Sequence, residues 1–476
     1  MSRILVTCAC ALAVIAAVGC APATPDTRLQ TFDVVITGGR VMDPESGLDA
    51  VRNVGIDDGR IVAISEAALS GQATIDAAGR IVAPGFIDLH AHGQDAEGYR
   101  FQALDGVTSS FELEVGTSDV DAWYAKRAAG QLINHGVSVG HIQVRMAVLK
   151  DPGTFLPIGP GAHGTATAAD VAAIAAGLEH GLRRGAVSVG AGFPYTPAAT
   201  REELVEVFRV AGRLGATVHV HTRRGVAGLE EAMSLAADGK SALHVVHLNS
   251  AGRAETPRML EIITAARADG RDITTEAYPY TAGMTEIRSA NLDEYEKPDA
   301  NLGVLEWPRT GERLTRESFN RYRREGGPVV LHTNTEEMVA AAINSPLTMI
   351  ASDSYWENGV GHPRTTGTFS RVLGRYVRER GSLALIDALR KMSLMPAQRL
   401  EARVPAMRNK GRLKIGADAD IVIFDAATVV DRSTYREPGL PPAGIEHVLV
   451  NGVAVVSGGR IVPGVAPGRA VRAPVQ

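Results

Sequence analysis

Residues 84–93 read Pro-Gly-Phe-Ile-Asp-Leu-His-Ala-His-Gly. Residues 86–89 are mostly apolar, as a buried parallel strand requires. Alternate residues of a strand share one face, so His90 and His92 can point at the same metal ion. An isolated His-x-His pair more often consists of polar loop residues than of metal ligands. Here the flanking Pro-Gly, the apolar strand and the acidic and histidine residues further along favour a metal site.

The chain beyond this stretch repeats a strand followed by a helix. The sequence predicts eight strands, over residues 87–92, 108–114, 137–145, 186–192, 217–223, 242–249, 272–280 and 347–355. It predicts helices over 119–135 and 168–184, one that opens with a capping box at Thr200, and one that opens at Thr256-Pro257. Eight β/α units predict an α/β fold, a (β/α)8 TIM barrel over residues 85–403. Residues 283–328 are polar and too long for a simple connection, which predicts an insertion or lid.

The barrel is bracketed by two β-rich segments, residues 31–84 and 404–465, which predict one composite β-sandwich domain. Asp57-Asp58-Gly59 between apolar runs predicts a hairpin. A turn is expected at Gly38-Gly39. The tail from residue 463 onward is rich in Pro, Gly and Arg and is expected to fray.

Residues 1–20 resemble a bacterial lipoprotein signal, with small residues before Cys20, and residues 21–30 read as a tether. We expect Cys20 to be lipidated; plain cleavage of the signal is the alternative. All three cysteines lie at or before this position, which leaves the mature fold without a disulfide or a thiolate ligand. The expected location is the cell envelope or periplasm, and the lipid anchor is the only membrane contact expected. The formal net charge of −4 gives no argument for nucleic acid binding.

Chemistry in a TIM barrel takes place at the carboxyl ends of its strands. Histidines and carboxylates that converge there suit a borderline divalent ion such as Zn²⁺, as one ion or two, although another divalent metal would also fit. The predicted metal ligands are His90, His92, Glu114, His221 and His247. Glu114 is preferred narrowly over Glu112, which lies on the same face. Asp353 is the predicted proton shuttle, whereas His219 and His244 lie one pleat deeper and are expected in the core.

These residues resemble the amidohydrolase superfamily, and within it the group of D-aminoacylases and N-acyl-D-amino-acid deacylases. The resemblance runs from about residue 32 to 461. The shared motifs are Pro84-Gly-Phe-Ile-Asp-Leu-His-Ala-His92, Gly106-Val-Thr108, Gly185-Ala-Val-Ser-Val-Gly-Ala-Gly192, His221-Thr-Arg223, Tyr278-Pro-Tyr-Thr-Ala282, Ala351-Ser-Asp353, His362-Pro-Arg-Thr-Thr-Gly-Thr-Phe369 and Gly416-Ala-Asp-Ala-Asp-Ile421. The resemblance implies metal-dependent hydrolysis of the amide bond of a small N-acyl-D-amino acid, in which metal-held hydroxide attacks the carbonyl and Asp353 carries the proton.

The resemblance also implies which residues hold the substrate carboxylate. They are Arg364 and a tyrosine of the Tyr-Pro-Tyr motif, for which we favour Tyr280. Many relatives have a cysteine ligand at the end of strand two, where this chain has the Glu112–Glu114 run. A carboxylated lysine is another common bridge, and Lys150 is a poor candidate because it lies in a turn.

A second departure concerns the substrate. The lysine that usually follows the strand-six histidine is Asn249 here, and Arg223, Arg145 or Arg288 can compensate, including for an acidic side chain such as glutamate. We therefore expect Arg223 and Asn249 at the substrate. The variant looks most like the N-acyl-D-glutamate deacylases. A cyclic-amide hydrolase of dihydroorotase or hydantoinase type, and an inactive metal-binding envelope lipoprotein, are the competing interpretations.

Overall fold

The computed structural model describes Met1 and residues 31–476. The predicted tether, Cys20 and all of the predicted signal except Met1 lie outside the described residues. The strands are β1 Thr31–Asp43, β2 Leu48–Asp57, β3 Arg60–Ser65, β4 Ser70–Asp76, β5 Ile81–Pro84, β6 Phe86–Asp88, β7 Val107–Thr117, β8 Asn134–Gly140, β9 Val189–Gly192, β10 Thr217–His221, β11 Ala242–Val245, β12 Ile273–Ala277, β13 Gly283–Glu286, β14 Leu305–Trp307, β15 Glu312–Arg313, β16 Pro328–Leu331, β17 Thr348–Ile350, β18 Trp356–Glu357, β19 Val360–Gly361, β20 Ile421–Phe424, β21 Ile445–Val450, β22 Val453–Ser457 and β23 Arg460–Ile461.

The helices lie mainly between the strands of the central sheet. They are α1 Ala96–Leu104, α2 Val120–Ala125, α3 His141–Leu149, α4 Pro160–His163, α5 Ala168–Arg183, α6 Arg201–Arg213, α7 Gly225–Gly239, α8 Leu248–Gly252, α9 Thr256–Ala268, α10 Arg316–Glu325, α11 Glu336–Asn344, α12 Arg364–Arg371, α13 Leu385–Leu389 and α14 Met395–Leu400. The π-helical turns Val372–Glu379 and Arg390–Leu394 extend α12 and join α13 to α14. No helix in the described residues is long and apolar enough to cross a membrane.

The TIM barrel prediction is confirmed. The parallel strands lie in the order β17-β12-β11-β10-β9-β8-β7-β6. The ring closes beyond the end of β6, where the Asp353 amide donates to the His90 carbonyl at 2.8 Å and the His92 amide donates to the Ser354 carbonyl at 2.8 Å. The His-x-His stretch is therefore both the end of the first strand and the seam between the first and last strands.

Most of the predicted strands end earlier in the structure than in the sequence prediction. The third strand was expected to run to residue 145, but β8 ends at Gly140, which caps α3. The predicted helix 119–135 is only α2, because Gly130 takes a positive φ of 91° and the chain then enters β8. The capping box in this region is at α5, formed by Thr167 and Asp170. At α6 the Thr200 side chain accepts a hydrogen bond from the Glu203 amide, so the predicted helix start is confirmed through the N-cap bond.

A nine-stranded β sheet contains the strands that flank the barrel in sequence. Its order is β23-β22-β21-β20-β5-β1-β2-β3, with β4 pairing to β1. The predicted hairpin joins β2 to β3, and Asp58 and Gly59 have the positive φ angles that such a turn needs. The turn expected at Gly38-Gly39 is instead a register shift within β1, which pairs with β4 before it and with β5 after it.

The insertion forms a small structure of its own beside the barrel mouth. Strands β13, β16, β14 and β15 make a four-stranded sheet, and α10 packs near it. The rings of Trp307 and Tyr322 stack at 3.9 Å and belong to its apolar core. This sheet extends to Leu331, slightly past the predicted end, and it supplies one wall of the cavity described below.

The C-terminal tail does not fray, contrary to expectation. Val471 and Ala473 are buried, and the Tyr124 hydroxyl donates to the Val471 carbonyl at 2.9 Å. Backbone hydrogen bonds join the tail to His135 and Gly185 near β8 and α5. The tail is ordered because these contacts satisfy its backbone and bury its few apolar residues, which composition alone does not reveal.

Candidate metal centre

Glu114 lies between two pairs of histidines at the carboxyl end of β7. Its Oε2 is 2.5 Å from His90 Nε2 and 3.8 Å from His92 Nε2. Its Oε1 is 2.9 Å from His221 Nδ1, and His247 Nε2 is 3.7 Å from Oε2. One carboxylate thus faces ligand atoms from four histidines, so it can bridge two adjacent metal positions.

The donors divide into two groups whose ligand atoms lie within 4.8 Å of one another. The first group is His90, His92, Glu114 and Asp353, and the second is Glu114, His221 and His247. All are buried except His221, which is half-buried. Imidazole nitrogens and carboxylate oxygens at this spacing are a donor set that suits Zn²⁺. The residues present therefore fit a divalent metal.

The electrostatics of the site favour the metal-binding protonation states of His247 and Glu114. Burial lowers the pKa of His247 to about 3, and the neighbouring His221 adds to the effect, so the ring is neutral. Burial opposes ionisation of Glu114, but His221 and His90 hold the pKa of its carboxyl well below the usual value. Neutral imidazole and ionised carboxylate are the forms that bind metal.

Glu112 occupies a different position from Glu114. Its Oε2 is 2.6 Å from His92 Nδ1, and its Oε1 accepts a hydrogen bond from the Val115 amide at 3.0 Å. Burial lowers the pKa of His92, but Glu112 reverses the effect and raises it to about 9. Glu112 therefore orients His92 from behind, whereas Glu114 faces the other ligand atoms.

Glu276, on β12, plays the corresponding part for His90, and the sequence prediction did not include it. Its Oε1 is 2.6 Å from His90 Nδ1 and its Oε2 is 3.0 Å from His244 Nε2. His244 Nδ1 in turn lies 2.8 Å from the Thr274 hydroxyl. Burial opposes ionisation of Glu276, yet His90 keeps the pKa of its carboxyl below the usual value. The acidic residue in a buried strand next to the Tyr-Pro-Tyr motif was the available signal.

Asp353 lies between the histidines of the metal centre and Arg364. Its Oδ1 lies 3.4 Å from both His90 Nε2 and His92 Nε2, and its Oδ2 is 2.9 Å from Arg364 Nη1. Burial opposes ionisation, but the Arg364 guanidinium keeps the pKa of the Asp353 carboxyl below its usual value. Asp353 also has a positive φ of 51°, a conformation found at functional sites that the surrounding structure holds in place.

The residues predicted to bind the substrate lie in different places in the structure. Arg364 is fully buried behind Asp353, with its guanidinium 4.6 Å from the Tyr278 ring centroid. Tyr278, not Tyr280, lines the cavity over the metal centre. The Tyr280 hydroxyl instead donates to Asp431 at 3.2 Å, because the chain turns at the intervening proline.

Arg223 and Asn249, which were expected at the substrate, do not line this cavity, and their roles stay predictions. Arg223 pairs with Glu231. The Asn249 side-chain amide donates to the backbone carbonyl of Tyr278 at 3.2 Å and so helps to fix the backbone at that tyrosine. The other two arginines considered, Arg145 and Arg288, are paired with Glu203 and Glu286.

The cavity over the metal centre has contributions from the barrel rim and from the insertion. Several lining residues were not part of the sequence prediction, among them Phe155, Tyr195, Arg224, Arg253, Gly283, Met284 and Thr285. The Tyr195 ring lies 4.9 Å from the His221 ring, edge to face, and its hydroxyl is 3.4 Å from the Thr285 hydroxyl. Gly283, Met284 and Thr285 belong to β13 of the insertion, and Tyr195 belongs to a short 3-10 helix after β9. No periodic pattern of the barrel units points to these segments.

Comparison with known proteins identifies the family. The profile of the Amidohydrolase family matches residues 81–462. The chain belongs to this family. The predicted resemblance to the superfamily and its D-aminoacylase group is confirmed, and this amidohydrolase acts on carbon–nitrogen bonds other than peptide bonds.

Individual relatives match over nearly the whole chain. The N-acyl-D-glutamate deacylase of Alcaligenes xylosoxydans xylosoxydans is 32% identical, covering 93% of this chain and 97% of the relative. The D-aminoacylase of the same organism is 29% identical, covering 90% and 95%. The structure of N-acyl-D-glutamate deacylase from Bordetella bronchiseptica, complexed with zinc and a phosphonate inhibitor, has a TM-score of 0.79 and 28% identity, covering 93% of this chain and 100% of that one.

The different positions of the two strand-two glutamates predict different metal losses. Glu114→Ala is expected to remove most bound zinc, as His90→Ala is, because both remove a donor at the centre. Glu112→Ala is expected to retain zinc with roughly 10- to 100-fold weaker affinity, since it orients His92 only. Elemental analysis of dialysed protein and a chelator titration measure the two effects. Greater metal loss in Glu112→Ala than in Glu114→Ala would reverse the assignment.

Glu276→Gln tests the support of His90. The amide keeps the size of the side chain but removes the charge facing the imidazole, so zinc affinity is expected to fall roughly 10- to 100-fold. A competition titration with a chromogenic chelator measures this. Glu261→Gln, an exposed carboxylate on α9, is the matched control and should leave the affinity unchanged. Equal affinities in wild type and Glu276→Gln would exclude the role.

Proposed function

We propose that this amidohydrolase hydrolyses the amide bond of N-acyl-D-amino acids, with zinc as its metal, and that N-acyl-D-glutamate is its preferred substrate. The observation that carries the reaction is the placement of Asp353, which faces the ligand atoms of His90 and His92 on one side and Arg364 on the other. The names of two relatives, an N-acyl-D-glutamate deacylase and a D-aminoacylase, support the substrate class.

A divalent ion bound by His90, His92, Glu114, His221 and His247 would supply a Lewis acid, which lowers the pKa of water to about 7 and polarises a carbonyl. The protein's own contribution is to move the proton. Asp353 Oδ1 faces the centre as a carboxylate, so it can accept a proton from the attacking water and return it to the leaving amine nitrogen.

The remaining residues orient the reactants. Arg364 holds Asp353 in position through Oδ2, which leaves Oδ1 directed at the donors. Tyr278 lies in the cavity wall with its hydroxyl buried and free of a hydrogen-bond partner among the described residues. A buried hydroxyl without a partner is costly, so a polar group of the substrate is its natural acceptor or donor. The insertion supplies Gly283, Met284, Thr285 and Asn291 to one wall of the cavity.

Zinc-reconstituted protein should hydrolyse N-acetyl-D-amino acids and not the L enantiomers, as measured by release of free amine. Asp353→Asn should lower kcat by roughly 10²- to 10⁴-fold with zinc content retained, because the amide cannot accept the proton.

Hydrolysis of a cyclic ureide without turnover of any N-acyl-D-amino acid would favour the dihydroorotase or hydantoinase interpretation. Wild type and Asp353→Asn that bind zinc and are equally inert would favour a protein without catalysis.

We also propose that the protein is exported and held in the cell envelope through a lipid on Cys20, supported by the small residues that precede this cysteine. Cys20→Ala is expected to abolish metabolic labelling with a radioactive fatty acid and to release the protein from the membrane fraction. Cys10→Ala is the matched control. Labelled Cys20→Ala protein would contradict the anchor.

A further inference from the structure

Arg253 is a cation at the active-site cavity that the reaction described above does not use. It lies between α8 and α9, six residues after His247, at the carboxyl-end face of the barrel. It lines the cavity over the metal centre together with Arg224. Arg224 is already paired, since its Nη1 donates to Glu294 in the insertion at 2.8 Å.

Arg253 has no such partner. Among the described residues its guanidinium makes no ion pair with a carboxylate within 4 Å, and its Nε is buried without a hydrogen-bond acceptor. Burial and the nearby positive charge of Arg224 lower the pKa of its guanidinium, while the nearby Glu294 and a hydrogen bond with the Tyr295 side chain oppose this shift. A half-buried cation next to a second cation is stabilised when an anion binds between or beside them.

The backbone at Arg253 is strained. Its φ is +48° and its ψ is −121°, a conformation that residues with a Cβ rarely adopt. His247 and Asp353, both at the metal centre, also have positive φ angles. Such strain persists where the surrounding structure holds a side chain in a required place. The strained backbone therefore holds the Arg253 side chain at the cavity, instead of leaving it free to move in solvent.

Its position separates Arg253 from Arg364. Arg364 contacts Asp353, so it is near the groups adjacent to the scissile bond. Arg253 also lines a neighbouring polar cleft of about 480 Å³, whose other charged lining residues are Arg224, Lys297, Glu294 and Asp299. Glu294 is already paired with Arg224. A group that reaches Arg253 thus extends away from the reacting centre, beneath the insertion.

From this geometry, and resting on the proposed function, we infer that Arg253 binds the side-chain carboxylate of the substrate and makes the enzyme selective for N-acyl-D-amino acids with an acidic side chain. A guanidinium with a free Nε–H donor and no carboxylate partner recognises a carboxylate through charge-assisted hydrogen bonds. The neutral amide of glutamine has the same shape but lacks the charge, so it is discriminated against.

The test compares N-acetyl-D-glutamate with N-acetyl-D-glutamine on zinc-reconstituted protein. Arg253→Met is expected to lower kcat/KM for the glutamate substrate by roughly 30- to 100-fold, mostly through KM, with the glutamine substrate changed less than about twofold. Arg253→Lys should keep part of the preference. Arg258→Met, an exposed arginine of α9 paired with Glu261, is the matched control and should match wild type on both substrates.

Equal losses on both substrates would overturn the inference, because Arg253 would then hold the α-carboxylate or support the fold. Calorimetric binding of D-glutamate and D-glutamine to the same zinc-loaded variants gives a readout without turnover. A preference for D-glutamate that Arg253→Met abolishes supports the inference even in a protein that hydrolyses no N-acyl-D-amino acid, a result that would reject only the proposed function. Wild type that binds both amino acids equally would reject the inference itself.

Discussion

The hydrogen bond from the Asp353 amide to the His90 carbonyl joins the last strand of the barrel to the first. Few backbone contacts make this seam, and they involve the residues whose side chains form the metal centre. The Asp88 carboxylate strengthens it by accepting hydrogen bonds from the Ser352 and His90 amides. Closing the barrel and assembling the site are therefore one event: the fold cannot close without bringing Asp353 to the histidines.

Buried charge is the second constraint on this region. Glu112, Glu114, Glu276 and Asp353 are all buried, and each would be costly without a partner. Each carboxylate faces an imidazole or a guanidinium, and the carboxylates behind His92 and His90 fix which ring nitrogen is directed at the centre. The inner donors His90, His92, Glu114, His221 and His247 would hold a divalent cation, whose charge would further offset that of the buried carboxylates.

The arginines around the cavity differ in what they already bind. Arg364 is committed to Asp353, and Arg224 ties the barrel to the insertion through Glu294. Arg253 alone among these three has no carboxylate partner within the described part of the chain. The difference follows from position. Arg364 is buried behind Asp353, Arg224 links the barrel to the insertion, and Arg253 faces the open volume of the polar cleft.

Local pattern was enough to predict the barrel, the flanking β segments and the residues that gather at the rim. Alternation places His90 and His92 on one face, and every strand of a parallel barrel presents its carboxyl end to the same side, so residues far apart in sequence could be grouped without coordinates. Cap residues such as Thr200 predicted helix starts for the same local reason.

Contacts between distant segments decided the rest. Glu112 and Glu114 share a strand face, and only the approach of β10 and the His247 loop shows which one lies among the histidines. The choice of Tyr278 over Tyr280 depends on where the chain turns after β12, and Arg253 stands at the cavity because of a strained loop that no periodicity describes. The C-terminal tail is ordered by its hydrogen bonds to His135 and Gly185, next to β8 and α5. The composition of the tail alone does not reveal these contacts.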